Sequence, residues 1–201
     1  RLGANAWPFY FTVDEQRGLI YLPLASPIPF GYGGDRAGNN LFSNSLVAVD
    51  IRSGEYRWHF QTIHHDLWDH DPPAPPALFD IEKDGELIPA LGVTTKSGYL
   101  YLLNRETGGA IFGIEELAVP ASDVPGEETS PTQPIPTNPL ALARVSFDAS
   151  ELVTASDTSP EHAAACSELL TNSGNVINQG PFTPWAYRPN GAGDNTTLLF
   201  P

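Results

Sequence analysis

Cysteine is nearly absent from this chain of 201 residues: Cys166 stands alone, so no internal disulfide can form and the redox compartment stays open. Methionine is missing altogether and the chain begins at Arg1, from which we expect a piece of a longer protein, so that the missing signal peptide says nothing of localisation. Positive charge is scarce, with 10 Lys and Arg against 24 Asp and Glu and a net charge of −14. No basic stripe exists to displace counterions from nucleic-acid phosphates, and an anionic lipid surface would repel the chain. No apolar run approaches the roughly 20 residues that a membrane-spanning helix needs. Lysine occurs only at Lys83 and Lys96, so the placement of each carries weight.

What is present is ordinary core material, 41% hydrophobic and 10% aromatic, divided by many turns. Aromatic and β-branched runs at residues 9–13, 19–22, 45–50 and 56–60 read as strands, with turns at Asp14 to Gly18 and Ser53-Gly54 and a Gly/Asn/Pro-rich loop over 25–44. A second set follows at 77–81, 88–94, 98–103 and 110–114. The sets repeat: Ala48, Asp50, Gly54 and Trp58 recur 54 positions later as Leu102, Asn104, Gly108 and Phe112. Asp or Asn can bond the turn backbone, Gly supplies a positive φ, and the aromatic can pack between sheets, so a repeated four-stranded unit of the propeller-blade kind is expected. Residues 119–180 differ. Prolines 120, 125, 131, 134, 136 and 139 come in quick succession, and only Ser150 to Thr154 and Pro160 to Leu170 carry local signals, the latter for a short helix. A segment this long and irregular is expected to be an ordered excursion that covers a site or packs on another part of the protein.

The densest chemistry lies in His64-His65-Asp66-Leu67-Trp68-Asp69-His70-Asp71. Imidazoles and carboxylates so close together can bind a cation or move a proton. In an up-and-down blade the first and third turns share one face, here carrying Asp14, Gly54 and Gly108. The other face then receives Trp7, Ser26, Asp69 and the rare Lys96, at the end where such folds carry ligands. Each has a plainer reading: Lys96 as a solvated turn, Asp69 as a turn cap, Trp7 as inter-sheet filling. His64 and His65 point to opposite sides of an extended segment, so at most one faces a shared ligand, and His70 is given no role. Zinc is the rival chemistry, yet the cluster has neither an i, i+4 His pair nor a Cys partner.

Several stretches resemble the quinoprotein dehydrogenases that use pyrroloquinoline quinone (PQQ), in particular their glucose-dehydrogenase-like branch. They are Asn5-Ala6-Trp7-Pro8, Val13-Asp14-Glu15, Gly33-Gly34-Asp35-Arg36, Asn40 through Asp50, Trp58-His59-Phe60-Gln61-Thr62, His64 through Asp69, and Ser122-Asp123 to Pro134. The repeats ending in Trp58 and Phe112 resemble the family's tryptophan-docking repeats, with Asn104 and Phe112 as departures. The resemblance implies an all-β fold, part of an eight-bladed β-propeller. One blade would span 9–61, a second 77–115, a loop-rich insertion 119–180, and the next blade would begin over 181–201.

It further implies oxidation of a sugar, polyol or other alcohol by hydride transfer to the quinone, with ubiquinone or a cytochrome as electron acceptor, in the periplasm, with an inner-membrane anchor outside this chain as one arrangement. By position Asp69 matches the catalytic base and metal-bound carboxylate, Lys96 the residue bonding the quinone C5 oxygen, and Trp7 the indole beneath the cofactor. The cation would be Ca2+ or Mg2+. Ser26 falls where alcohol-oxidising members place a metal-binding Asn, and as a neutral hydroxyl is a weaker ligand. Most ligands would come from the rest of the propeller, so the isolated chain is expected to bind quinone weakly. A non-catalytic propeller scaffold is the alternative, and it would need neither Asp69 nor Lys96.

Overall fold

The computed structural model describes residues 6–7, 10–191 and 195–200. The expected positions Asn5, Pro8, Phe9 and Pro201 lie outside them. The first sheet joins β1 (Thr12–Asp14), β2 (Leu19–Pro23), β3 (Ser45–Asp50) and β4 (Tyr56–Gln61) in sequential antiparallel order. Register places Tyr21 beside Ala48 and Ala48 beside Trp58, and these three, all buried, form one face. β1 is shorter than the 9–13 expected. Tyr10 and Phe11 stay exposed and outside the strand.

The second sheet is β5 (Ala77–Lys83), β6 (Glu86–Thr94) and β7 (Leu100–Asn104), again antiparallel and in order. The fourth strand expected at 110–114 is reduced to a single bridge between Leu103 and Ala110. The carbonyls that would extend it are taken by other partners. Lys83 Nζ donates to Ile111 O at 2.7 Å, and Thr137 N donates to Gly113 O at 2.9 Å. From Gly113 the chain leaves the sheet, and β8 (Ile114–Ala118) pairs instead with β9 (Thr132–Pro136). β9 tolerates Pro134 and Pro136 because its ribbon has only two strands, so a proline nitrogen can face away from the ladder.

Both repeats close with the same turn. Gly54 N donates to Asp50 O at 2.9 Å and Gly108 N to Asn104 O at 2.8 Å, while the Asp50 and Asn104 side-chain oxygens each accept two turn N–H groups. Trp58, 6% exposed, then docks on the second repeat: its indole N–H donates to Arg105 O at 3.2 Å and its ring lies against Gly108. Tyr21 donates to the same carbonyl at 2.8 Å. Asp14 lies 3.4 Å from Arg105, so the Asp14 and Gly108 turns share one face as expected. One core runs through both sheets, from Tyr21, Leu46 and Trp58 to Leu91, Val93, Tyr101 and Leu103, and includes Phe182 from beyond the proline-rich excursion.

That excursion holds α1 (Pro160–Asn172), capped by Ser159 and started by Pro160, with no buried residue. β10 (Asn175–Ile177) pairs in parallel with β11 (Asn195–Thr197), just before and within the stretch expected to begin the next blade. Among the described residues no helix is long and apolar enough to cross a membrane.

Candidate active site

The link between β4 and β5 is organised by its own buried carboxylate. Asp66 Oδ1 accepts Trp68 N at 2.9 Å, while Oδ2 accepts His70 N at 3.1 Å, Asn44 Nδ2 at 2.8 Å and the Ser26 hydroxyl. Arg36 Nη2 donates to the Asp66 carbonyl at 2.5 Å. Wrapped around one side chain, the link adopts left-handed backbone at His65 (φ 46°) and Asp69 (φ 63°), a conformation uncommon outside glycine but one that Asp and His take more readily than most. From outside, Trp68 Nε1 donates to Thr183 O at 2.7 Å and Trp185 Nε1 to Leu67 O at 2.5 Å. Gln133 of β9 exchanges hydrogen bonds with both the N–H and the C=O of His64. The proline-rich excursion thus packs on the link, as expected.

The candidate residues meet where this link touches the β6–β7 turn. Lys96 N donates to Asp71 O at 3.2 Å, tying turn to link. Lys96 Nζ then lies 2.7 Å from Asp69 Oδ2 and 2.7 Å from Asp71 Oδ1. Asp71 Oδ2 accepts the Trp7 indole N–H at 2.7 Å, and Lys96 Nζ stands 5.6 Å from the Trp7 ring centre. The two carboxylates differ sharply in exposure: the Asp69 side chain is 39% exposed and that of Asp71 is 1% exposed. Burial pulls the Lys96 ammonium down, but its contacts with Asp69 and Asp71 outweigh that and raise it above the ordinary lysine value, so it stays charged. Burial holds His70 below the ordinary imidazole value, and its ring stacks on Trp68 at 5.9 Å and meets Phe182 edge-on. His70 is therefore a neutral wedge.

Of the residues singled out from sequence, Trp7, Asp69 and Lys96 come together. Ser26 reaches the same link at Asp66 rather than at Asp69: its hydroxyl donates to Asp66 and accepts from Asn44 Nδ2 at 3.2 Å. His64 and His65 do turn to different partners, His64 to Gln61 and Glu116, His65 to the Gly38 carbonyl. Among the described residues no group of three or more His, Cys, Asp or Glu side chains converges as a metal site, so the structure assembles no zinc centre from this cluster. The sequence places Asp66 and Asp71 in the acidic run as the frame of Asp69, without a role of their own, and assigns Asn44 none. Asp71 had one available signal, its place beside Asp69 in the acidic run.

The chain matches known proteins throughout. Residues 1–201 match the PQQ family of glucose/ethanol/alcohol dehydrogenases, β-propeller domain. Among curated proteins it is similar to the quinoprotein glucose dehydrogenase of Gluconobacter oxydans, 40% identical over 144 residues that cover 68% of this chain and 18% of that one. It is also similar to the quinate/shikimate dehydrogenase (quinone) of Acinetobacter baylyi, 38% identical over 136 residues, 67% of this chain and 17% of that one. Among solved structures, the quinohemoprotein alcohol dehydrogenase from Comamonas testosteroni superposes with a TM-score of 0.52 at 26% identity, over 68% of this chain and 20% of that one. The chain thus spans less than a fifth of the length of these curated relatives.

Proposed function

From the premise that this chain belongs to the PQQ-dependent glucose/ethanol/alcohol dehydrogenase β-propeller family, we propose that it carries the base and the cationic edge of a quinoprotein active site that oxidises a sugar, polyol or other alcohol. The family implies PQQ and a metal ion as cofactors, and a substrate and an electron acceptor as partners. The observation that carries the reading is the cluster of Asp69, Lys96, Asp71 and Trp7. An indole 37% exposed with its N–H pinned is a fixed platform for a planar group. A charged ammonium that gives one hydrogen bond to Asp69 and is ion-paired with Asp71 keeps donor capacity for an added oxygen. These features fit a flat, anionic quinone. When bound, the quinone supplies the acceptor for hydride leaving the carbinol carbon.

The chain's own residues then divide the remaining work. Asp69, the exposed carboxylate, takes the substrate hydroxyl proton, with Lys96⁺ paired to it at 2.7 Å. Lys96 also donates a free N–H toward an oxygen on which negative charge grows, a preorganised electrostatic contribution. Trp7 orients the ring system from one side. A hard cation, Ca2+ or Mg2+, suits the oxygen ligands on offer. Asp69 would supply one. Ser26 has one lone pair free after its bonds to Asp66 and Asn44, and the buried Asn44 Oδ1 beside it has no protein partner, so this corner has spare oxygen capacity.

We place the whole protein in the periplasm, passing electrons to ubiquinone or a cytochrome. The test is to reconstitute the full-length protein with PQQ and either Ca2+ or Mg2+ and to follow dye reduction over a panel of sugars, polyols and simple alcohols. Substrate-dependent reduction supports the reading. A protein that folds but reduces no dye with any of them is the scaffold alternative.

A further inference from the structure

Asp71 has no part in the division of labour above, yet it is the more buried of the two acids at the site and touches both of the other residues. Its Oδ2 accepts the Trp7 N–H at 2.7 Å, its Oδ1 lies 2.7 Å from Lys96 Nζ, and its main-chain carbonyl accepts Lys96 N at 3.2 Å. We propose that Asp71 is a positioning residue, whose two carboxylate oxygens hold the Lys96 ammonium and the Trp7 indole in fixed relation to each other at the quinone site. The proposal rests on the dehydrogenase reading.

Exposure argues for Asp71 rather than Asp69 as the anchor. Water competes with a contact to a carboxylate that is 39% exposed, whereas a carboxylate at 1% can only be reached by its protein partners. A lysine head on four rotatable bonds held by Asp69 alone would follow that side chain, and would be bound solely to the group that has to accept a proton. Sharing the ammonium between two carboxylates separates the tasks, with Asp71 fixing the cation and Asp69 free to react. The same carboxylate restrains a half-open tryptophan whose neighbours are the Ala6–Leu24 bridge and an edge-on Tyr10 ring at 6.3 Å.

Three variants of the full-length protein test this: Asp71→Asn, Asp71→Ala and Trp7→Phe. Asparagine keeps an acceptor for the indole but removes the charge opposite the ammonium. The expected result is a quinone Kd within about threefold of wild type with kcat lowered about 10- to 100-fold, the scale of a misplaced catalytic group. Alanine removes both contacts, and quinone affinity is expected to fall about tenfold as well. Trp7→Phe should cost less affinity in the Asp71→Ala background than in wild type, since one bond it breaks is already gone.

A readout free of cofactor is the tryptophan emission of the apo-protein, with the Trp7 component taken as wild type minus Trp7→Phe. Asp71→Ala should shift that component and Asp71→Asn should not. Unshifted emission together with Kd and kcat within about twofold of wild type in Asp71→Ala overturns the proposal. So does a lowered melting temperature with equal losses in Asn and Ala variants, which marks a merely structural acid. If the Ala variant does not fold, the Asn variant and Trp7→Phe decide between these outcomes. A wild-type protein that binds no quinone defeats the dehydrogenase reading instead, while the apo emission still reports on the Asp71–Trp7 bond.

Discussion

Alanine at Gly108 should destabilise the protein far more than alanine at the equivalent Gly54. Both glycines close the same repeat turn, at φ 74° and 75°, so an L-residue meets the same backbone cost at each, about 1 kcal/mol. The surroundings differ. A Cβ on Gly54 meets nothing within 4 Å, whereas one on Gly108 would stand 2.5 Å from Trp58 Cε3 and 2.8 Å from Cδ2. Trp58 cannot easily withdraw, because its ring lies 5.7 Å from that of Tyr21 and its N–H is bonded to Arg105 O. Forcing such a contact in a packed core costs about 1–3 kcal/mol more. Gly54→Ala should therefore lose about 1 kcal/mol and Gly108→Ala about 2–4 kcal/mol. Denaturant unfolding of the two variants, followed by tryptophan emission, measures the difference directly. Equal losses would refute the claim that Trp58 docking on Gly108 holds the two repeats together.

Other consequences follow from the same contacts. Asp66→Ala strips the buried hub of its link and leaves the Asn44, Ser26 and His70 donors without their acceptor; it should cost about 3–5 kcal/mol, read as a lowered unfolding midpoint, while a loss below about 1 kcal/mol would show that the link holds without it. Tyr21 is pushed up to about 12, mainly by burial, so the folded state favours its neutral form. That contribution is complete below about pH 10, the unfolded value, and is lost as pH rises through about 12; Tyr21→Phe should therefore flatten the alkaline limb of the stability curve, and an unchanged limb would contradict the assignment. Asp50 runs the other way: hydrogen bonds from Arg57 and then from the Ser53 and Arg52 amides hold its carboxyl well below the usual range, so its contribution is present above about pH 4 and fades as pH falls further, and Asp50→Asn should weaken the acid dependence of unfolding. Residues 1–201 alone should bind PQQ and Ca2+ weakly in a titration, and tight stoichiometric binding would show that these blades suffice.

The repeat turns were legible because their logic is local: an Asp or Asn accepts the next amides, a glycine takes the positive φ four residues on, and an aromatic follows. The joining of Trp7, Asp69 and Lys96 was legible through blade topology, which needs only strand order. The fourth strand of the second sheet was not. Ala110 to Ile114 has strand chemistry, and the partners that divert it, Lys83 and Thr137, lie far away in sequence. β9 was hidden by Pro134 and Pro136, which read as breakers until a two-stranded ribbon gives their nitrogens an outer edge. Within the site, Asp69 and Asp71 look alike as letters. Only the packed link separates them, leaving one carboxylate open and the other enclosed between an indole and an ammonium.

The most direct test of the central claim is Asp69→Asn in the full-length, PQQ-reconstituted protein, assayed by dye reduction with whichever alcohol or sugar the wild type oxidises. The account predicts a fall in kcat of at least about 100-fold with quinone still bound, as loss of a general base requires. A variant that turns over as fast as wild type would show that Asp69 is not the base and that the site has been assigned to the wrong residue.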